Sequence, residues 1–237
     1  MTRHHAVNSA WADFMQAQAG VVRADCLRQF YLAGAVRSDA ALRELELVAI
    51  DVETTGLDSS QHAIVSIGLV PFSSQRIHLA DSRYWVVKPR RDLLSQSVTI
   101  HRITHSEIEN APDIAEVLPQ LMQAMAGKVA VVHFQHMERG FLDAACQSRF
   151  GEGWRFPLID TMWIEARVRR QSLRARLSRW FGKPPASIRL HDSRVRYGLP
   201  AYSNHHACVD ALATAELLQA QIAHFHSWDD PVGAFWN

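Results

Sequence analysis

Residues 47–56 read L-V-A-I-D-V-E-T-T-G, an apolar run that ends in two acids and a glycine turn. A short apolar run that is bounded by a turn is typical of a buried β-strand. Because side chains alternate along a strand, Asp51 and Glu53 are expected on the same face. Two adjacent carboxylates repel each other unless a cation neutralises them, and hard oxygen ligands suit Mg²⁺ or Mn²⁺. A solvated strand end is the alternative for this pair taken alone.

Outward from this run, strands and helices follow in a mixed order. Strand-like runs occupy 63–72, 83–87 and 129–133, and helical spacing of apolar residues occupies 114–125, 138–149 and 206–225. The order is β-β-β-α-β-α with a further helix at the end. It predicts an α/β fold, in which an antiparallel start joins parallel strands in a mixed sheet flanked by helices.

The segment before residue 46 has the pattern of a helical extension. Between about Ser9 and Glu46 there is no proline, and apolar residues recur at helical intervals at Trp11, Phe14, Met15, Leu27, Phe30 and Tyr31. We therefore predict three parts: an N-terminal helical extension over 1–45, a main domain over 46–228 and a C-terminal tail over 229–237. A packing role without chemistry is the simplest interpretation of the extension.

The composition describes a globular chain without a global charge bias. Of 237 residues, 48% are hydrophobic, which is enough for a full core. The formal net charge of +1 excludes a uniformly basic coat protein. Three scattered cysteines, Cys26, Cys146 and Cys208, indicate reduced thiols and not a disulfide framework or a zinc site. There is no apolar run of roughly 18–20 residues and no signal-peptide pattern, so we expect a cytoplasmic location and no membrane partner.

Positive charge is concentrated in residues 161–196. This segment holds ten Lys and Arg residues against two acids, a net +8, which leaves about −7 on the rest of the chain. Such an asymmetry fits a polyanionic partner. Arg167, Arg170 and Arg174 fall at i, i+3 and i+7, which is one stripe if the stretch is helical. A solvated face, or ion pairs with the acidic remainder, is the alternative.

Two further acids occupy positions where a helix starts. Asp210 lies early in the helix over 206–225, five residues after His205 at the preceding loop junction. A histidine at such a junction can act as a general base toward a water molecule. Glu138 follows the strand that ends at His133, and a glutamate in a first turn also suits the helix dipole. Taken alone, Asp210 is better explained as a solvated helical aspartate, and a structural role at the helix start is a sound alternative for Glu138.

Taken together, these segments resemble the DnaQ-like, or DEDDh, exonuclease family. The family patterns occur in chain order as D-x-E-T-T-G at 51–56, I-V-x-I-G-x-V at 64–70, H-G-I-T at 101–104 with Arg102 in place of glycine, D-T at 160–161, R-Y-G-L at 196–199, and H-x-A-x-x-D-A at 205–211 followed by Thr214-Ala215. The resemblance covers about residues 46–225. The ordered set is far more specific than any one motif.

The resemblance implies a ribonuclease H-like fold with a five-stranded mixed sheet, and 3′→5′ hydrolysis of DNA or RNA with two ions of Mg²⁺ or Mn²⁺. It implies that the metal ligands are Asp51, Glu53, Asp210 and Glu138, and that His205 is the general base. By similarity to the family, the terminal nucleotide would contact Thr54, Thr55, Gly56, Leu57, His101 and Ile103.

One position departs from the family. The second family motif usually reads H-N-A-x-F-D-x-x-F-L, whereas this chain has His133, Phe141 and Leu142 with a glutamate, Glu138, at the acidic position. The side chain is one methylene longer, and metal geometry is sensitive on that scale. Two alternatives therefore stand beside the exonuclease: a nucleic-acid-binding module on a weakened nuclease fold, and a subunit that binds a polymerase or other protein through its N-terminal helices.

Overall fold

The computed structural model of the chain describes residues 2–89, 103–171, 184–202 and 205–236. Within them, one sheet has the strand order β3-β2-β1-β4-β5. The strands are β1 Leu47–Thr54, β2 Ile64–Phe72, β3 Arg83–Val86, β4 Val129–Val132 and β5 Leu158–Asp160. The helices are α1 Thr2–Val21, α2 Asp25–Leu32, α3 His105–Glu109, α4 Ile114–Met125, α5 Gln135–Phe150, α6 Thr161–Ala166, α7 Leu190–Arg196 and α8 Ala207–Phe225.

The sheet is mixed, as the element order predicts. Strand β1 pairs antiparallel with β2 from Leu47 opposite Phe72, and β2 pairs antiparallel with β3. On its other side β1 runs parallel to β4, which runs parallel to β5. The predicted α/β fold with five strands is confirmed. Strand β5 spans three residues, which is too short for an alternation pattern to mark it in the sequence.

The two faces of the sheet carry different helices. Val48, Ile50 and Val52 of β1 belong to the apolar cluster that includes residues of α2, α4 and α5. Leu47 and Ala49 belong to a second cluster that includes residues of α8. Because alternate side chains point to opposite faces, every second residue of β1 from Leu47 onward faces α8.

The terminal segments pack on the same sheet. Tyr31 of α2 lies in the first cluster, whereas Phe235 and Trp236 lie in the second. The last α-helix of the N-terminal segment ends at Leu32, and a 3₁₀ turn follows at Leu42–Glu44; between them, Gly34 turns the chain with a φ of 75°. The domain boundaries at 45/46 and 228/229 remain predictions of the sequence.

Two further expectations concern the cysteines and a membrane-spanning segment. Cys26, Cys146 and Cys208 are free thiols. Among the helices of the described residues, none is both long enough and apolar enough to cross a membrane.

Candidate metal centre and active site

Asp51 and Glu53 lie near the carboxyl end of β1, the central strand. They continue the alternation of Leu47 and Ala49, so their side chains lie on the sheet face that α8 covers. Glu53 is only 7% exposed, and a register shift follows it between Glu53 and Thr54. The predicted pair of carboxylates therefore projects from a strand that pairs with β2 at both positions, opposite Gly68 and Ser66.

Asp210 reaches the same place from the first turn of α8. The start of α8 lies against β2, and Gly68 allows this approach because a Cβ there would lie 2.2 Å from the carbonyl carbon of Ala207. Oxygens of Asp51, Glu53 and Asp210 all lie within 4.8 Å of one another. The fold thus brings two acids of β1 together with an acid of the distant helix α8.

Glu138 enters the site from the first turn of α5. Its side chain is 2% exposed, and its charge is close enough to raise the pKa of Asp51. Its Oε2 is buried and has no hydrogen-bond partner among the residues that the structure describes. A buried carboxylate oxygen is costly unless something satisfies it. The Glu138 carboxylate therefore acts on the pKa of Asp51, but it is not among the three acids whose oxygens lie within 4.8 Å of one another.

The electrostatics of the cluster favour a bound cation. Burial raises the pKa of Asp51 well above its ordinary value, and Glu138, Glu53 and Asp210 add to the increase. Burial also raises the pKa of Glu138 and of Asp210. Carboxylates that lie this close together and are partly shielded from water repel one another. An all-oxygen set of acids fits a hard divalent ion such as Mg²⁺ or Mn²⁺.

His205, the predicted general base, lies in the exposed loop before α8. Its φ of 69° is in the left-handed region, which costs free energy for a residue with a side chain. Its backbone N–H donates to Oδ2 of Asp210 at 2.9 Å. This bond anchors the backbone of His205 beside the acid, and the residue remains exposed to solvent.

The predicted nucleotide-binding turn follows β1 directly. The Thr54 hydroxyl donates to the Gly56 carbonyl at 2.6 Å, and Oγ1 of Thr55 accepts from the N–H of Ala63 at 3.0 Å. These bonds fix the turn and do not point at a ligand. Leu57 is 85% exposed at its tip. A Cβ at Gly56 would lie 2.3 Å from the His62 ring, so a side chain at this position would require the His62 ring to move.

Ile103 and His101 are the two remaining predicted contacts to the terminal nucleotide. Ile103 is buried in a small cluster with Val65 and Ile108. Its side chain therefore supports β2 and α3 in this state. His101 lies outside the described residues.

Several arginines of the basic segment over 161–196 form ion pairs with acids inside the fold. Glu165 is completely buried and pairs with both Arg169 and Arg196, and the buried Arg194 pairs with Glu216 at 2.6 Å. Arg169 and Arg196 therefore pair with an acid of the segment itself, and Arg194 pairs with an acid from the remainder of the chain. Of the predicted stripe, Arg167 is exposed and its guanidinium lies over the Trp163 ring. Arg170 donates to the carbonyl of Ala186, whereas Arg174 lies outside the described residues.

Sequence reasoning missed two supports of the site. Asp160 accepts the backbone N–H groups of Phe134 and Gln135 and so fixes the start of α5. In the sequence, only the D-T pattern at 160–161 drew attention to this residue. Tyr84 of β3 stacks on His206 at the start of α8, with ring centroids 4.6 Å apart. The contact joins an edge strand to a distant helix, so no local pattern marks it.

Comparison with known proteins agrees with this geometry. Residues 48–218 match the exonuclease family RNase_T. The chain belongs to the DnaQ-like, DEDDh exonuclease family. Members of the family are hydrolases that act on phosphodiester bonds. The match begins within β1 and ends within α8, so it includes every described acid of the candidate site.

Curated relatives include polymerase components. A DNA polymerase III subunit epsilon from Treponema pallidum is 26% identical over 185 residues, which are 78% of this chain and 80% of that protein. A PolC-type DNA polymerase III from Thermotoga petrophila is 28% identical over 179 residues, 76% of this chain and 12% of that protein. The chain therefore spans only about an eighth of the PolC-type relatives that it matches.

Solved structures share the fold. The nuclease domain of 3′hExo, a DEDDh family member bound to rAMP, superposes with a TM-score of 0.61 at 16% identity and covers 76% of this chain and 92% of its own. Exonuclease X in complex with 5′ overhanging duplex DNA gives a TM-score of 0.56 at 22% identity, over 78% of this chain and 97% of that chain.

Proposed function

We propose that this protein is a metal-dependent 3′→5′ exonuclease that hydrolyses DNA or RNA and releases nucleoside 5′-monophosphates. The observation that carries the proposal is the convergence of oxygens from Asp51, Glu53 and Asp210 within 4.8 Å. Family membership supports it, because the acids occupy the motif positions that the sequence analysis assigned.

Two divalent cations suit this cluster. Asp51, Glu53 and Asp210 would hold one of them, and Asp51 and Glu138 would hold the second. Bound there, such cations supply a lower pKa for the attacking water and neutralise charge that develops on the phosphate and the leaving 3′ oxygen. The buried, unsatisfied Oε2 of Glu138 and the raised pKa of Asp51 are the features that such binding would relieve.

The remaining residues would position the substrate and move the proton. His205 would accept the proton of the attacking water, since its backbone is anchored to Asp210 and the side chain is accessible. The turn that contains Thr54 to Leu57 would receive the terminal nucleotide, because it projects from the end of β1 beside the acids. His101 and Ile103 complete this proposed set by similarity to the family.

The position of Glu138 bears on the rival function. In a binding module on a weakened nuclease fold, the fourth acid would be free to leave the cluster. Glu138 instead remains buried and raises the pKa of Asp51, which favours the enzyme. A polymerase or another protein bound through α1 and α2 is compatible with the enzyme, and the named relatives make a polymerase the first partner to try.

Labelled oligonucleotides test the proposal. We expect 5′-labelled DNA or RNA to shorten one nucleotide at a time from the 3′ end in Mg²⁺ or Mn²⁺ and to remain intact in EDTA. Asp51→Asn and Asp210→Asn should abolish hydrolysis and weaken Mn²⁺ binding, measured by calorimetry, by tenfold or more. Glu109→Gln, an exposed acid of α3, is the matched control and should behave as the unmodified protein. Equal Mn²⁺ affinity in all four proteins would refute the metal site.

A further inference from the structure

Two residues beside the carboxylates have a backbone conformation that side chains disfavour. Among the non-glycine residues that the structure describes, only Phe134 and His205 have a positive φ, of 90° and 69°. His205 precedes α8, which carries Asp210, and Phe134 precedes α5, which carries Glu138. Residues held in this region cost free energy, and they cluster at functional sites. The proposed function gives His205 a role, whereas it gives Phe134 none.

The left-handed conformation suits asparagine better than it suits Phe134. The second family motif has an asparagine directly after its histidine, where this chain has Phe134. Asparagine enters the left-handed region more readily than most residues, and it is also a favoured N-cap of a helix. Phe134 is the N-cap of α5 and makes no side-chain capping hydrogen bond. Local structure alone therefore favours asparagine, and the phenylalanine needs another reason.

The backbone of Phe134 is held by its neighbours. Its N–H donates to Oδ1 of the buried Asp160 at 3.0 Å, and the N–H of Gln135 donates to Oδ2 of the same acid at 3.1 Å. The carbonyl of Phe134 accepts the N–H of Met137 at 3.0 Å. Bonds of this kind can maintain an unfavourable backbone conformation. The phenyl ring is therefore not required to hold the turn.

The side chain of Phe134 reaches solvent. The residue is 39% exposed, and it belongs to none of the three apolar clusters of the described residues. Its ring makes a T-shaped contact with the exposed His136, with centroids 5.4 Å apart and an interplanar angle of 65°. A neighbour on one side of a ring covers at most one of its faces. Part of a flat apolar surface is therefore open to a ligand.

Phe134 lies at the edge of the sheet where the carboxylates are. Strand β4 runs parallel to β1 with Val131 opposite Ala49, so the chain emerges from β4 beside the end of β1. Phe134 is three residues beyond Val131, and the two acids of β1 are two and four residues beyond Ala49. Glu138 follows Phe134 by about one helical turn. With strands about 4.8 Å apart and a helical pitch of about 5.4 Å, the backbone of Phe134 lies within roughly 10 Å of the acids.

A nucleobase is the ligand that this arrangement fits. Proteins bind single strands through aromatic side chains on which bases stack, and the contact tolerates any base because each has a π face. Stacked bases are about 3.4 Å apart along a strand, so a ring at this distance meets one of the first few nucleotides. An apolar protein surface would also cover the ring, but the position beside the acids favours the strand on which the acids act.

We propose that Phe134 stacks on the second, third or fourth base from the 3′ end of the substrate strand. The proposal rests on the exonuclease function above for the polarity of the strand, and the terminal nucleotide itself remains assigned to the turn after β1. Base stacking is the reason for a strained phenylalanine where asparagine would suit the backbone.

Phe134→Asn is the main test variant, because it removes the ring and suits the left-handed backbone. It should melt at or above the temperature of the unmodified protein. Phe134→Trp is the conservative variant, since it keeps a stacking surface. Phe225→Asn is the matched control: this phenylalanine is 44% exposed and ends α8, about 27 Å from the start of that helix at 1.5 Å per residue. Thermal melts check that each variant folds.

Binding of 5′-fluorescein 12-nucleotide DNA and RNA is measured by anisotropy in Ca²⁺, which replaces Mg²⁺ to suppress cleavage. In a further set of DNA strands, an abasic site replaces each of the first four nucleotides from the 3′ end in turn. With the unmodified protein, one abasic site at the second to fourth position should weaken binding by about fivefold or more, as expected for the loss of one stacked base.

Phe134→Asn should weaken binding of the intact strand by a similar factor and should no longer respond to that abasic site. The log–log salt slope should stay the same, because no phosphate contact is lost. Phe134→Trp should keep the response to the abasic site, and Phe225→Asn should match the unmodified protein. A residue that only supports the fold would weaken binding of intact and abasic strands equally.

The outcomes separate stacking from the exonuclease function. If Phe134→Asn loses the same affinity as the unmodified protein at every abasic position, Phe134 does not stack on a base and the proposal is wrong. If the abasic effect depends on Phe134 but no strand is hydrolysed, the exonuclease function fails and the stacking stands. An unmodified protein that binds neither DNA nor RNA overturns the stacking as well.

Discussion

Glu138 is a buried acid with one methylene more than the residue usual at its family position. Its carboxylate is 2% exposed and acts on Asp51, although the family motif has a shorter side chain at this position. The start of α5 is held independently by Asp160, which accepts two backbone N–H groups there. The backbone position of α5 near Glu138 is thus fixed by other residues.

We predict that Glu138→Gln lowers kcat by tenfold or more, about 1.4 kcal/mol in the barrier. The amide keeps the shape of the side chain but removes the negative charge that would balance a second cation. Single-turnover hydrolysis of a labelled oligonucleotide in Mg²⁺ and Mn²⁺ measures the change. Glu138→Asp, which restores the family residue, should stay within a fewfold of the unmodified rate. Full activity in Glu138→Gln would show that Glu138 only occupies the start of α5 and takes no part in hydrolysis.

The candidate site depends on how closely α8 lies against β2. The start of α8 contacts the strand at Gly68, where a Cβ would lie 2.2 Å from backbone atoms of Ala207. Backbone cannot rotate out of the way as a flexible side chain can. Since Asp210 lies in the same first turn of α8 as Ala207, the spacing between α8 and β2 also sets the spacing between Asp210 and the acids of β1.

We predict that Gly68→Ala destabilises the protein by about 1–3 kcal/mol or more, the usual cost of overpacking. It should also weaken Mn²⁺ binding, because the displaced helix carries Asp210 away from Asp51. Chemical denaturation and calorimetry measure the two effects. Gly20→Ala in α1, where a Cβ meets nothing within 4 Å, is the control and should lose neither. If Gly68→Ala is destabilised but binds Mn²⁺ with unchanged affinity, the packing of α8 on β2 does not set the geometry of the metal site.

At the scale of the whole molecule, the acids of the site oppose folding when no cation is bound. The pKa values of Asp51, Glu138 and Asp210 are all raised, first of all by burial. The folded state therefore holds protons that the unfolded chain has already released. Stability from this source is present below the ordinary carboxyl pKa, near 4, and is lost as the pH rises through the raised values.

We predict that the melting temperature in EDTA falls by several degrees as the pH rises from 5 to 8, since each kcal/mol moves Tm by about 2–4 °C at this size. Mn²⁺ should reverse the fall, because bound metal requires deprotonated ligands. Asp51→Asn should flatten the EDTA profile, whereas Glu109→Gln should leave it unchanged. Identical profiles in Asp51→Asn and the unmodified protein would show that the cluster does not titrate in this range.

The sequence by itself determined the features that repeat over a few residues. The two-residue period of β1 placed Asp51 and Glu53 on one face, and the 3.6-residue period marked α4 and α8, because both depend only on local backbone geometry. The order of the elements was sufficient to predict a mixed sheet. The ordered motifs pointed to the family to which the chain belongs.

Only the tertiary structure decided which distant residues meet. The parallel pairing of β1 with β4 and the approach of α8 at Gly68 bring Glu138 and Asp210 to Asp51, and no local period encodes such contacts. Counting charges identified the basic segment but could not show that the buried Glu165 forms ion pairs with Arg169 and Arg196. The physical reason is that charge and burial depend on distance in space, which the chain acquires only when its elements pack.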